Sequence, residues 1–187
     1  IGVDFTSCTL LPVKPVPIAP GAPHNLLVPL CLLGPGFEEH VHAWPKLWKH
    51  HGAARQAEQL TSTALGAGGE QWLRRYGGVL GLEWAFPKAL EVFDEDRAVF
   101  DAATHFIEAG DWIVHLLLGG QRPEQCENVV RSTCAAGYKA CYASGEGFLL
   151  SPDVLETAGT GFSAVLDKLR GRHVAPGVAA GTLALSL

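Results

Sequence analysis

At 187 residues, 48% of them apolar and 18% charged, the chain has the size and composition of one globular unit with a true core, and a disordered segment is excluded. A formal charge of -5 argues against a DNA or RNA partner, because phosphate binding needs a basic stripe and the basic clusters are short and interleaved with His and Trp. The longest apolar run, Leu26 to Leu33, is interrupted by Pro29 and falls far short of the ~20 residues that span a bilayer, so no membrane partner is expected.

The chain opens on Ile1-Gly2-Val3-Asp4-Phe5-Thr6-Ser7-Cys8-Thr9, an apolar run that stops in small hydroxyl and thiol side chains. This pattern predicts a strand over Ile1 to Phe5 that delivers polar groups to its carboxyl edge, where ligands of open α/β sheets sit. An opening in mid-strand, in a sequence with no Met at all, reads as an excerpt of a longer protein. Leu10 to Pro35 holds seven prolines, Pro12, Pro15, Pro17, Pro20, Pro23, Pro29 and Pro35. Their lost donors predict an extended loop without a central strand, with one edge strand near Leu30 to Leu33.

A helix is expected over His42 to His51, with Pro45 in its first turn and Trp44, Leu47, Trp48 and His51 on one face. Ala53 to Ala64 reads as helix through Ala57 and Leu60 and ends at Gly66-Ala67-Gly68-Gly69. Glu70 to Tyr76 reads as a short helix stopped by Gly77-Gly78. Trp84 to Phe93 is amphipathic through Phe86, Leu90 and Phe93, and Asp96 caps a further short helix.

Thr104 to Glu108 reads as a strand. Asp111 reads as the N-cap of a buried helix that runs from Trp112 and ends at Gly119-Gly120. Gln121 to Arg131 is expected to be a polar loop, and Ser132 to Tyr142 a strand or tightly packed loop. Ser151-Pro152 opens a helix and Ser163 caps Ala164 to Arg170. Gly177 to Leu187 carries no convincing element. The sequence contains no internal repeat.

Several chemistries lack their signatures. There is no G-x-x-x-x-G-K-[ST], no G-x-G-x-x-G after a strand, and no G-x-S-x-G around Ser7. His40 and His42 are two apart and His50 and His51 adjacent, so neither pair has the i, i+4 spacing of a helical metal site. Five cysteines without a C-x-x-C pair fit reduced thiols of the cytoplasm. Trp44 and Lys139 are more informative. An indole can offer its ring to the C–H face of a polyol while its N–H donates, and a lysine in a small apolar stretch is either snorkelling or paired.

Ordered blocks along the chain carry a family resemblance: Asp4-Phe5-Thr6-Ser7-Cys8-Thr9, Pro29-Leu30-Cys31-Leu32-Leu33, His42-Ala43-Trp44 through His51, Arg75-Tyr76-Gly77-Gly78, Glu83-Trp84 with Pro87-Lys88-Ala89-Leu90, Phe106-Ile107-Glu108-Ala109 with Asp111-Trp112-Ile113, and Gly137-Tyr138-Lys139-Ala140. In that order they resemble the L-ribulokinases of the FGGY carbohydrate kinases. The resemblance implies an α/β fold, part of a ribonuclease-H-like, actin-like ATPase domain, with residues 1–175 the latter part of the first kinase domain and 176–187 a tail. It also implies ATP-dependent phosphorylation of L-ribulose at the 5-hydroxyl, with Ser7, Trp44 and Lys139 lining the ketopentose site.

ATP and Mg2+ would serve the full-length parent, with the phosphate motifs, the general base and a companion C-terminal domain lying outside the chain. The parent has room to be a homo-oligomer. The 187 residues alone are expected to lack kinase activity and to leave a sheet edge open. Two stretches, Lys14 to Val28 and Gln121 to Arg131, look longer than the family pattern. Ala135 stands where the family usually has Thr. Another pentulose kinase, such as one for D-ribulose, or a non-catalytic sugar-binding fragment, remains an alternative.

Overall fold

A proline-bearing strand lies at the centre of the main sheet. In a computed structural model that describes residues 1–17, 19–20, 25–119 and 124–184, β1 (Leu10–Pro17) pairs antiparallel with β2 (Asn25–Pro29) on one side and β3 (His105–Glu108) on the other. The expectation of an extended loop without a central strand over Leu10 to Pro35 is thereby corrected. The three prolines are tolerated because the two ladders are offset: β3 covers Leu10 to Val13 and β2 covers Val13 to Pro17. Leu10 exchanges hydrogen bonds with Lys46, whereas the Val13 carbonyl accepts from Thr104 N–H on the β3 side. Strand alternation then turns Pro12 toward the β2 side, beyond the end of that ladder, and Pro15 and Pro17 toward the β3 side, beyond the end of the other. Leu30–Leu32, predicted as an edge strand, is a 3-10 turn.

Period-2 alternation sends β1 into two cores. Leu10, Phe106 and Leu30 join a large cluster with the helices, while Leu11, Val13, Leu27 and Ile107 face a smaller one closed by Trp112 and Val129. The large core is built by α1 (Ala54–Gly66), α2 (Glu70–Leu73), α3 (Ala85–Glu95), α4 (Arg97–Ala102) and a later helix over Pro152–Ala158. Ala57, Leu60 and Ala64 of α1 are buried as the pattern required, and Gly77 and Gly78 stop the turn after α2 with φ of 79° and 88°. The Asp96 side chain accepts from Val99 N–H and caps α4 as expected.

After β3 the chain forms α5 (Ala109–Leu118), α6 (Glu124–Glu127), β4 (Val130–Ser132) and α7 (Thr133–Lys139), a small hairpin of β5 (Tyr142–Ala143) and β6 (Gly147–Phe148), α8 (Pro152–Ala158), α9 (Val165–Lys168) and β7 (Arg172–Val174). β4 and β7 pair in parallel. Ser151 caps α8 by accepting from Val154 N–H.

Several expectations fail for identifiable reasons. Residues 1–6 are exposed coil with no strand, so the predicted Ile1 to Phe5 strand has no partner; order begins at Cys8 and Thr9, which are buried. His42 to His51 is not a helix: a 3-10 turn over Val41–Ala43 is followed by extended Trp44 and by the Leu10–Lys46 bridge. Trp44, Leu47 and Trp48, predicted to share one helical face, are all about half exposed. The cap of α5 is Glu108, whose carboxylate accepts from Gly110 N–H, and Asp111 lies within the first turn. That helix buries Asp111 and His115 and leaves Trp112, Ile113 and Val114 only partly covered.

Within the predicted polar loop, α6 and the start of β4 are ordered; residues 121–123 lie outside the described residues, as do 18 and 21–24 of the other suspected insertion. The small-residue stretch from Ser132 is helical, because Ser132 accepts from Ala135 N–H and starts α7. Ser163 does not cap a helix; its hydroxyl donates to Glu156. Overall the chain is a mixed α/β unit of small sheets and helices.

Candidate functional site: the strand-end hollow

The approach to β1 is fixed by two side chains and one backbone carbonyl from elsewhere in the chain. Cys8 is buried and adopts φ 83°, a left-handed conformation that a non-glycine residue holds only under external constraint. Its N–H donates to Glu108 Oε1 at 2.7 Å and its thiol to the Glu83 carbonyl at 2.7 Å. Its carbonyl accepts from Lys88 Nζ. Every polar group of Cys8 is therefore held. Ser7, half-buried, is the residue immediately before this clamp.

Glu108 Oε1 also accepts from Thr9 N–H at 3.2 Å, while Oε2 takes Gly110 N–H at 2.7 Å. Burial raises its pKa, against the pull of these donors and of the Lys88 ammonium. Burial likewise pushes the Cys8 thiol up to about 11, so the sulfur is a protonated donor and not a nucleophile at neutral pH.

Cys8, Glu108 and Lys139 line one hollow with Asp111, Arg131, Phe148 and His173. Lys139 enters it from the C-terminal end of α7, with Nζ 4.7 Å from the Tyr138 ring centroid. Deeper in, Arg131 is buried and donates to the carbonyls of Phe106, Lys168 and Arg170, which joins β3 to the end of α9. Asp111 accepts from Ser132 N–H at 3.0 Å; desolvation raises its pKa to about 7, with Arg131 opposing. His173 stacks on Tyr142 at 3.8 Å, and burial lowers its pKa to about 4.

Of the three residues singled out from sequence, only Lys139 lines the hollow; Ser7 does not, although the next residue, Cys8, does. Trp44 is not among the lining residues. It is 48% exposed, and its indole N–H donates to the Glu38 carbonyl at 2.9 Å, so the ring face is what it has left to offer. Trp44 is nevertheless joined to the Ser7 segment by backbone: Lys46, two residues on, exchanges hydrogen bonds with Leu10 at 2.9 Å in both directions.

Sequence reasoning missed Lys88. On α3 it lies off the Phe86, Leu90 and Phe93 face and should be solvated, yet it is fully buried and donates to the carbonyls of Cys8, Lys46 and Leu47. A signal existed in the flanking Pro87 and Ala89, since a lysine between small apolar residues has no polar neighbour to keep it at a surface.

No family model matches the chain. Curated relatives do. The ribulokinase of Shouchella clausii (strain KSM-K16) is 38% identical over 192 residues, covering 98% of this chain and 29% of the relative. The ribulokinase of Mycolicibacterium smegmatis is 37% identical over 184 residues, again 98% and 29%. That of Halalkalibacterium halodurans (strain ATCC BAA-125 / DSM 18197 / FERM 7344 / JCM 9153 / C-125) is 38% identical over 148 residues, 79% and 23%. The chain thus spans under a third of the length of the curated relatives it matches, and over nearly all of its own length it is similar to these ribulokinases.

Proposed function

We propose that this segment forms the sugar-facing wall of a ribulokinase-type carbohydrate kinase, a cytoplasmic enzyme that transfers a phosphoryl group from ATP to the 5-hydroxyl of L-ribulose in arabinose breakdown. The reading takes residues 1–175 as the latter part of an FGGY-kinase first domain of ribonuclease-H-like fold, with 176–187 as a tail. One observation carries it: Cys8, locked in a left-handed conformation next to Ser7, lines the same hollow as Lys139, within a chain similar to ribulokinases almost throughout. In this reading the Ser7 hydroxyl and the Lys139 ammonium hydrogen-bond sugar hydroxyls, and the exposed Trp44 ring covers a C–H face of the pentose.

Among the described residues no group of three or more His, Cys, Asp or Glu side chains is placed to hold a metal ion by protein ligands alone. ATP and Mg2+, the general base and the companion domain are assigned to the part of the relatives' length that this chain does not span.

Titration calorimetry with L-ribulose tests the reading. A charge-assisted hydrogen bond contributes roughly 1.5–3 kcal/mol, so Lys139→Ala should weaken binding about 10- to 150-fold. Trp44→Ala should weaken it as well, with the far-ultraviolet circular dichroism unchanged. Absence of heat at millimolar L-ribulose from the folded wild-type chain would sink the proposal, and tighter binding of D-ribulose would move the substrate to the other epimer.

A further inference from the structure

The buried ammonium of Lys88 has no chemistry assigned to it so far, and its surroundings are unusual for a lysine. It is fully buried and, among the described residues, forms no ion pair. Its acceptors are three backbone carbonyls, Cys8, Lys46 and Leu47, the last at 2.8 Å. Desolvation first of all lowers its pKa, and the charges of Lys139 and Lys46 push the same way. Glu83 attracts the ammonium and the ammonium in turn attracts Glu108, but neither pairs with it directly, so its hydrogen bonds go to carbonyls alone.

Those carbonyls belong to two segments far apart in sequence. Cys8 follows Ser7, and Lys46 and Leu47 follow Trp44. The same segments touch once more at the Leu10–Lys46 bridge, so Lys88 and that bridge fix their relative register. Lys88 projects from α3, the helix most fully enclosed by the large core, which makes it a rigid base for the attachment. The left-handed Cys8 peptide depends on the same contact, since its carbonyl direction is set by the Lys88 Nζ.

We propose that Lys88 is a positioning residue for the sugar site: a buried ammonium that holds the Ser7 segment and the Trp44 segment in register with each other. The part concerning sugar rests on the ribulokinase reading; the part concerning register does not. Lys88 does not touch substrate. It sets the directions from which two of the three candidate contacts arrive.

Two variants separate positioning from bulk stability. Lys88→Met removes charge and donors at similar length, and Lys88→Gln keeps a neutral donor. Hydrogen exchange is measured on the full chain. In Lys88→Met, amides at 7–10, 44 and 46–48 should exchange about tenfold faster or more together, while amides of α1 and α8 hold their rates; Lys88→Gln should fall between. L-ribulose affinity is then measured in a mutant cycle. If Lys88 positions both segments, Trp44→Ala and Ser7→Ala each lower affinity in the wild type but change it little further in Lys88→Met, whereas a merely stabilising lysine leaves the effects additive. Additive losses, faster exchange in only one segment, or loss of the whole fold in both variants would overturn the proposal. If the wild type binds no sugar, the ribulokinase reading fails while the exchange experiment still decides the register.

Discussion

Cys8 carries a backbone conformation that costs a non-glycine residue on the order of 1–3 kcal/mol, recovered by three hydrogen bonds and burial. Cys8→Ala keeps the backbone cost and loses the thiol bond to Glu83 with some packing, so urea unfolding should show a loss of about 1–2 kcal/mol. Arg131 is a harsher case. Arg131→Met would strand three carbonyls and remove the cation facing the buried Asp111 carboxyl, for an expected loss of about 3–5 kcal/mol by the same measurement. Neither role could be read from sequence. Cys8 was legible as part of a strand-end motif and Arg131 only as the end of a polar loop, because burial of a guanidinium depends on carbonyls from β3 and the end of α9.

At the scale of elements, the segment from His40 to His51 is attached to α3 and its cap by side chains. Lys46 Nζ lies 2.9 Å from Glu91 Oε2, both buried, and His50 Nε2 lies 2.7 Å from the same oxygen. His42 Nδ1 is 2.9 Å from Lys46 Nζ and its Nε2 is 3.2 Å from Glu95, while His40 reaches Asp96 at 2.7 Å. An ammonium can only donate, so Nδ1 of His42 must accept and the ring is neutral with its proton on Nε2. Burial and then Lys46 lower the pKa of His42, with Glu91, Glu95 and Asp96 opposing.

A histidine with a depressed folded pKa contributes stability that is complete above its unfolded value near 6.5 and is lost as pH falls below it. Acidification from pH 7 toward 5 should therefore raise hydrogen exchange at 40–51 before it does so in α1. Glu91→Ala should lower global stability by about 3–5 kcal/mol, because it leaves the Lys46 charge buried and unpaired. The helix predicted for this segment failed for the same reason: local periodicity in Trp44, Leu47 and Trp48 was outweighed by the Lys46 bridge to β1 and by the bond network to α3.

For the whole molecule, pH dependence follows from histidines held neutral. Burial lowers His105 to about 3, and His115 and His173 to about 4; His115 Nε2 accepts the Leu27 N–H at 3.0 Å and so joins α5 to β2. Each favours the folded state above pH 6.5 and loses that preference as pH falls toward its folded value. Asp111, raised to about 7, works the other way, since its protonation relieves a buried charge as pH falls from 7 toward 3.8. With His42 included, four histidines stand against two raised carboxyls, Asp111 and Glu108, and leave a net slope of up to about 2–3 kcal/mol per pH unit, so the thermal midpoint should drop steeply between roughly pH 6 and 4.5.

What the sequence determined by itself was local: α1, α3 and α4, the caps at Asp96 and Ser151, the strand at His105–Glu108, and a family likeness carried by short ordered blocks. These depend on neighbours within a few positions, where periodicity and capping chemistry act. Tertiary structure alone decided that a strand with three prolines is central, since that needs two ladders offset along it, and that Glu108 instead of Asp111 caps α5. It also decided that Lys88 lies buried beneath the Ser7 and Trp44 segments, because a charge stays inside only where distant carbonyls converge on it.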